Sequence, residues 1–123
     1  MERILKMVNH ELTDAQIDDL GDVELVALPE SLQSSLRQCY ANIDNLRQLA
    51  YDIKNFCMDN NIYTTLSPAG SPAFNAIFSH FCRQYGITQK FSHSIRKFVE
   101  TVNPDGTVSK TNIFKHICFI DVV

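Results

Sequence analysis

The sequence predicts an α/β fold: a mostly parallel sheet flanked by helices, with a C-terminal β-hairpin. Three observations carry this expectation. Short apolar runs alternate with amphipathic stretches in the order β-α-β-α-β-α over the first two thirds of the chain, and strands linked that way lie parallel through right-handed crossovers. The two longest amphipathic stretches repeat apolar residues at steps of three and four. The last third places two strand-like runs either side of Asn103-Pro104-Asp105-Gly106, with proline and glycine where a type I turn takes them.

Each element has a local reason. Residues 3–8, RILKMV, read as the first strand, ending at Asn9-His10. Thr13-Asp14-Ala15-Gln16 has the T-x-x-Q form of a capping box, with Leu12 and Ile17 spaced as a hydrophobic staple. A short helix therefore starts there, and Gly21 stops it. Residues 23–28, VELVAL, form the second strand, closed by Pro29. Residues 30–40 are helical or irregular. The following helix carries Ile43, Leu46, Ala50, Ile53 and Cys57 as one core stripe. Residues 62–66 supply the third strand, and the loop Ser67-Pro68-Ala69-Gly70-Ser71-Pro72 leads into the next helix. That helix aligns Phe74, Ile77, Phe78, Phe81, Cys82 and Tyr85 on one face before Gly86 ends it. Residues 87–91 are the fourth parallel strand, and residues 96–102 and 107–122 the two arms of the hairpin. The first part reads as a Rossmann-like half.

Composition bounds the function classes. At 123 residues and 45% hydrophobic content, residues 1–123 suit one domain with its own core. No apolar run approaches the roughly 18 residues that span a bilayer. The start, MERILKMVNHEL, lacks the apolar stretch and cleavage site of a secretory signal, so no membrane partner and a cytoplasmic location are expected. Cys39, Cys57, Cys82 and Cys118 are scattered without a CxxC, and are expected to be reduced, mostly buried thiols. No cluster of Asp, Glu, His or Cys has ligand spacing, so the chemistry is expected to need no metal and no cofactor.

The net charge of −3 argues against duplex nucleic acid as a partner. The distribution is uneven, with five Lys/Arg against eleven Asp/Glu in residues 1–82 and six against three in residues 83–123. Arg83, Lys90, Arg96, Lys97, Lys110 and Lys115 can focus a small anion locally, or can simply be solvated charges guarding a hairpin edge.

In open α/β sheets ligands bind beyond the carboxyl ends of the strands, where helix N-termini attract anions. The positions selected are Asn9, His10 and Thr13 after the first strand, Ser67, Ala69, Gly70 and Ser71 after the third, and Ser92, His93, Ser94 and Arg96 after the fourth. Gly70 permits close backbone approach, Ser71 is placed as an N-cap, and Pro72 suits the first helical position, leaving the amides of Ala73 and Phe74 free. The loop matches neither a P-loop nor G-x-G-x-x-G, so a structural cap and a phosphate site both remain open. By strand alternation His93 goes with Phe91 and Ile95, and His116 with Phe114 and Cys118, which leaves the face of each open, a core position among the choices. His80 lies on the polar side of its helix. Arg96 is the best phosphate-binding candidate, because a guanidinium engages two oxygens in a fixed fork.

Asn9-His10-x-Leu12-Thr13-x-x-Gln16, Leu28-Pro29 with Leu32-Gln33, the glycine-containing loop before the last helix, and above all Asp105-Gly106-x-Val108-x-Lys110-Thr111-x-x-Phe114-Lys115-His116-x-x-Phe119 resemble a group of small Csx proteins encoded with type III CRISPR systems. These are similar to minimal CARF (CRISPR-associated Rossmann fold) domains, which makes the chain a single CARF-like domain. The resemblance implies a cyclic oligoadenylate ligand, most often the tetra-adenylate, held across a homodimer. It implies a ring nuclease that cleaves the ring without metal and switches off type III signalling, or a buffer or sensor that only retains it. On that reading Arg96 and the Ser71 loop stabilise phosphate, and His10 or His93 gives acid–base help. Asn9, Ser67, Gly70, Ser71, Ser92, Ser94 and Lys110 bind ligand. This chain departs from the group in the 67–72 loop, which is less glycine-rich. A third reading, independent of the resemblance, is an interaction module whose hairpin pairs with a partner's edge.

Overall fold

The computed structural model describes residues 1–38, 41–68 and 70–123. In chain order the elements are β1 (Glu2–Lys6), α1 (Asp14–Leu20), β2 (Val23–Ala27), α2 (Glu30–Gln38), α3 (Ile43–Asp59), β3 (Thr64–Leu66), α4 (Pro72–Tyr85), β4 (Thr88–Val102) and β5 (Val108–Val122). The five strands form one sheet in the order β2-β1-β3-β4-β5. β1 to β4 are parallel and β5 is antiparallel to β4. The α/β class with a mostly parallel sheet and a C-terminal hairpin is thus the fold. The chain moves outward from β1 to β2, then returns past β1 to lay down β3, so the strand order reverses between β1 and β3.

Hydrogen bonds from neighbouring residues of β4 reveal the layers. Gln89 accepts from Ser79 of α4, whereas Ser92 accepts from Gln16 of α1. Odd and even residues of a strand point to opposite faces, so α4 and α1 lie on opposite sides of the sheet. α3 packs beside α4, and the main core fills the space beneath them with Leu5, Ala50, Ile53, Cys57, Phe74 and Phe78. Ile4 and Leu5 are both buried, as expected of a central strand covered on both faces.

The helix ends obey the local chemistry. Thr13 Oγ1 accepts from the Gln16 amide at 3.2 Å and Gln16 Oε1 accepts from the Thr13 amide at 3.0 Å, which is the capping box. Asn42 Oδ1 caps α3 by accepting from the amides of Asp44 and Asn45. Gly86 ends α4 in the left-handed region, where a Cβ would be strained. The α3 stripe holds from Leu46 to Cys57, but Ile43, the first residue of the helix, is exposed. Lys54 is buried instead, its ammonium 4.4 Å and 4.3 Å from the ring centroids of Tyr51 and Tyr85.

The hairpin is longer than the sequence suggests. Residues 92–95 read as a loop after the fourth strand, yet β4 runs unbroken from Thr88 to Val102. Only Thr88–Lys90 pair with β3; from Phe91 outward the backbone bonds of β4 go to β5, which is what lets the strand continue. At the tip the Gly106 amide donates to Asn103 O at 3.0 Å and the Asn103 amide to Thr107 O at 2.8 Å. This is a type I turn followed by a glycine with φ of 85°. Among the described residues no helix is long and apolar enough to cross a membrane.

Candidate functional site

A cleft of about 320 Å³ opens where the strand order reverses. Asn9 and His10 enter it from the end of β1, Pro68, Gly70 and Ser71 from the β3–α4 loop, and Leu36 and Arg37 from α2. His10 and Val8 also line a smaller corner of about 70 Å³, shared with Gln16, Ser67, Lys90, Ser92 and Phe119. A third groove of about 200 Å³ meets the cleft at Gly70 and Ser71 and is walled by Leu36, Leu46, Leu49 and Phe74.

The loop between β3 and α4 is fixed from both ends. Asn75 Nδ2 donates to Pro68 O at 2.6 Å and the Asn75 amide to Ser71 O at 3.0 Å, binding the loop to the first turn of α4. Ser71 occupies the N-cap position but its side chain makes no cap hydrogen bond. Its hydroxyl is therefore not spent on the helix. Ser67 is buried and accepts from Gln89 Nε2 at 3.4 Å. His10 Nδ1 lies 2.8 Å from Glu11 O, so Nδ1 carries the proton and in the neutral ring Nε2 holds the lone pair. The helix N-terminus, His10 and Arg37 make this cleft hospitable to a phosphate. Arg37 also pairs with Glu30 at 3.0 Å.

The residues selected from sequence divide into two groups. Asn9, His10, Gly70 and Ser71 surround one cleft, and Ser67 and Ser92 join them through the corner next to His10. Ser94 Oγ is 3.3 Å from Ser92 Oγ. The rest stand apart. Arg96 lies four residues beyond Ser92 on β4, about 13 Å along an extended strand, with its guanidinium 5.5 Å from the Phe114 ring centroid. Lys110 sits opposite Glu100 and pairs with it at 3.7 Å, about 27 Å from Ser92 on the same scale. His93 projects from the face opposite Ser92 and is exposed, so of the two faces that strand alternation leaves open it takes the solvent one. His10, His93 and Arg96 are thus not gathered at one point. Thr13 is used by the capping box, His80 is exposed as expected, and Ala69 and Cys39 fall outside the described residues. Cys57 and Cys82 are buried free thiols and Cys118 is half-buried. Burial pushes Cys57 and Cys82 up to about 12, the nearby Cys57 adding to the effect on Cys82.

Two residues were missed by the sequence reading. Arg37 belongs to no motif; its one signal is that it is the lone cation between Lys6 and Arg47. His116, whose face strand alternation leaves open, has a shielded side chain, 4% exposed, that is hydrogen-bonded on both sides, to Ser92 Oγ at 2.6 Å and to Asp19 Oδ2 at 3.1 Å. The cause is a β-bulge. His93 pairs with Cys118 but Ser94 pairs with His116, so Ile117 is skipped. The extra residue resets the alternation, and His116 shares a face with Phe119, the two rings 4.7 Å apart.

A family model described as the uncharacterized protein MJ1673 family matches residues 2–120. No curated protein matches the chain, and no solved structure does.

Proposed function

The chain belongs to the MJ1673 family, and we propose that it binds a cyclic oligoadenylate across a homodimer in the cytoplasm, cyclic tetra-adenylate first, and opens the ring without metal. The observation that carries this is the cleft at the β1/β3 reversal, where Asn9, His10, Arg37, Gly70 and Ser71 meet at the start of α4. Open α/β sheets bind nucleotides at such a reversal. A phosphate accepts from the free amides and the Ser71 hydroxyl there, while Arg37 balances its charge. The adjoining groove of Leu36, Leu46, Leu49 and Phe74 offers an apolar slot for an adenine. The contacts are few and local, so a chain of net charge −3 suffices.

The cleavage uses the ligand's own groups. A ribose 2′-oxygen attacks the adjacent phosphorus, the 5′-oxygen leaves, and a 2′,3′-cyclic phosphate remains. His10 Nε2 takes the 2′-hydroxyl proton, water protonates the departing 5′-oxygen, and the α4 amides and Arg37 stabilise the charge that develops on phosphorus-bound oxygen. Ser67 and Ser92 position the ring. A cyclic tetramer has a twofold axis of its own, so two copies presenting the same strand ends match it. Phe98, Val102, Val108 and Phe114 are exposed on the arm, apolar surface that a second copy would cover.

The test is incubation of the purified protein with labelled cyclic tetra-adenylate in excess EDTA. Linear products ending in 2′,3′-cyclic phosphate are expected. Tight retention of intact ring replaces cleavage by sequestration, and failure to bind any ring size overturns the reading. The same exposed apolar residues favour a second reading, an interaction module built on the arm. That module would capture a protein partner with the cleft residues Asn9 and His10 mutated, and would lose it when Phe98 and Phe114 become serine.

A further inference from the structure

Asp19, His116 and Ser92 form a hydrogen-bonded chain that the phosphate cleft does not require. The bond directions follow from proton bookkeeping. An ionised carboxylate only accepts, so His116 Nε2, 3.1 Å from Asp19 Oδ2, is the protonated nitrogen. In the neutral ring Nδ1 then holds a lone pair, and at 2.6 Å it accepts the Ser92 hydroxyl proton. With its one proton committed, Ser92 Oγ can only accept from Gln16 Nε2 and from the Ser94 hydroxyl, each at 3.3 Å. Asp19 is itself fixed by the Phe119 amide at 3.2 Å.

Exposure is graded in the sense a nucleophile needs. The His116 side chain is 4% exposed, whereas Ser92 is open to solvent. The base is shielded and the hydroxyl is presented. The three groups come from α1, β5 and β4, and the roles of serine, imidazole and carboxylate are those by which a nucleophilic triad is recognised irrespective of fold. Ser92 borders the corner of about 70 Å³ whose apolar walls include Val8, Leu12, Leu66, Phe91 and Phe119. Its one ammonium, Lys90, is paired with Asp121 at 2.8 Å. Such a corner suits a small neutral group.

We infer that Ser92 is an activated nucleophile with His116 as its base and Asp19 as the positioning carboxylate, and that it takes short-chain acyl esters. Ser92 Oγ adds to the ester carbonyl carbon while its proton passes to His116 Nδ1. The imidazolium returns that proton to the departing alkoxide as the carbon–oxygen bond breaks, leaving acyl-Ser92. Water then adds to the acyl group, giving its proton to the same nitrogen, and collapse releases the carboxylic acid and restores the serine hydroxyl. Ser92 and the corner beside His10 are shared with the cyclic oligoadenylate reading, but the ester substrates contain no nucleotide, so the outcome here is read separately from that one.

The native protein decides the matter without a variant. A fluorophosphonate probe should phosphonylate Ser92, located by peptide mass, and p-nitrophenyl acetate should be hydrolysed faster than p-nitrophenyl octanoate. Ser92→Ala should abolish labelling and hydrolysis. His116→Gln should lower both by as much as about 10⁶-fold, as loss of a triad base does. Asp19→Asn should lower the rate and displace the pH at which it reaches half its maximum, an effect that a purely structural tether would not give. A folded native protein that neither labels at Ser92 nor hydrolyses the acetate ester overturns the inference, as does labelling that survives in folded His116→Gln.

Discussion

Replacing Phe78 by alanine tests whether α4 is anchored as described. Phe78 is fully buried and its ring stacks on Phe74 with centroids 5.4 Å apart. Truncating such a ring removes its transfer free energy and leaves a cavity that the neighbours only partly fill, a loss of about 3–5 kcal/mol. A domain of this kind has about 5–15 kcal/mol in total, so the variant should fold but with much of its margin gone. Unfolding entropy of about 2.1 cal/mol/K per residue, over 123 residues, is about 0.26 kcal/mol/K. A loss of about 4 kcal/mol therefore lowers Tm by about 15 °C. Urea titration followed by far-UV circular dichroism measures it, with an unchanged denaturant slope to show that the unfolded state is the same. Phe78→Leu should lose about 1.5 kcal/mol or less, because most of the volume stays. A loss below about 1 kcal/mol for Phe78→Ala would mean that α4 does not pack on the core as described, and with it the loop at its N-terminus.

The remaining expectations are smaller. The folded state holds the Cys57 and Cys82 thiol protons up to about 12, whereas an unfolded chain releases them near the ordinary value of 9.0. Stability should therefore be intact below that value and fall as pH rises through the interval between them, seen as a declining urea midpoint that Cys57→Ala makes shallower. Thr13→Ala should cost about 1 kcal/mol through loss of its cap bond, while Ser71→Ala should stay within about 0.5 kcal/mol because its side chain caps nothing; paired thermal melts compare them. Gly106→Ala should destabilise by about 1 kcal/mol, since a side chain must enter φ of 85°; urea unfolding reads it. Arg37→Gln should weaken cyclic tetra-adenylate binding about tenfold, a charged hydrogen bond's worth, with Tm nearly unchanged, as calorimetry can check.

The elements governed by local chemistry were legible. Thr13 with Gln16, Gly86, and Asn103 to Gly106 act over a few residues, so their spacing alone is decisive. The apolar stripe of α4 was likewise readable, with Phe74, Phe78 and Cys82 buried. The cleft was half legible, because the rule that ligands gather beyond strand ends selects Asn9, His10, Gly70 and Ser71 once the strands are found. Arg37 escaped because the path of α2 past the end of β1 is a tertiary fact. His93 falls between the two strands expected at residues 87–91 and 96–102, and Arg96 at the start of the second, yet the whole stretch is one strand; β5, not a local turn signal, keeps the chain extended there. His116 escaped because one unpaired residue in β5 breaks a two-residue rhythm.

The skipped Ile117 makes the register at that point, rather than the order of residues alone, a carrier of information. Were the two strands to pair without the skip, Ile117 would stand opposite Ser94 and every residue from His116 outwards would turn over. Phe114 and His116 would exchange sides with Ile113 and Lys115, and the imidazole would leave Ser92. Deleting Ile117 would instead leave His116 opposite Ser94 and every partner beyond it unchanged. Adding a matched pair of residues near Gly106 would only lengthen the arm. Which side of the exposed ribbon carries each residue is therefore decided by one pairing choice at its root.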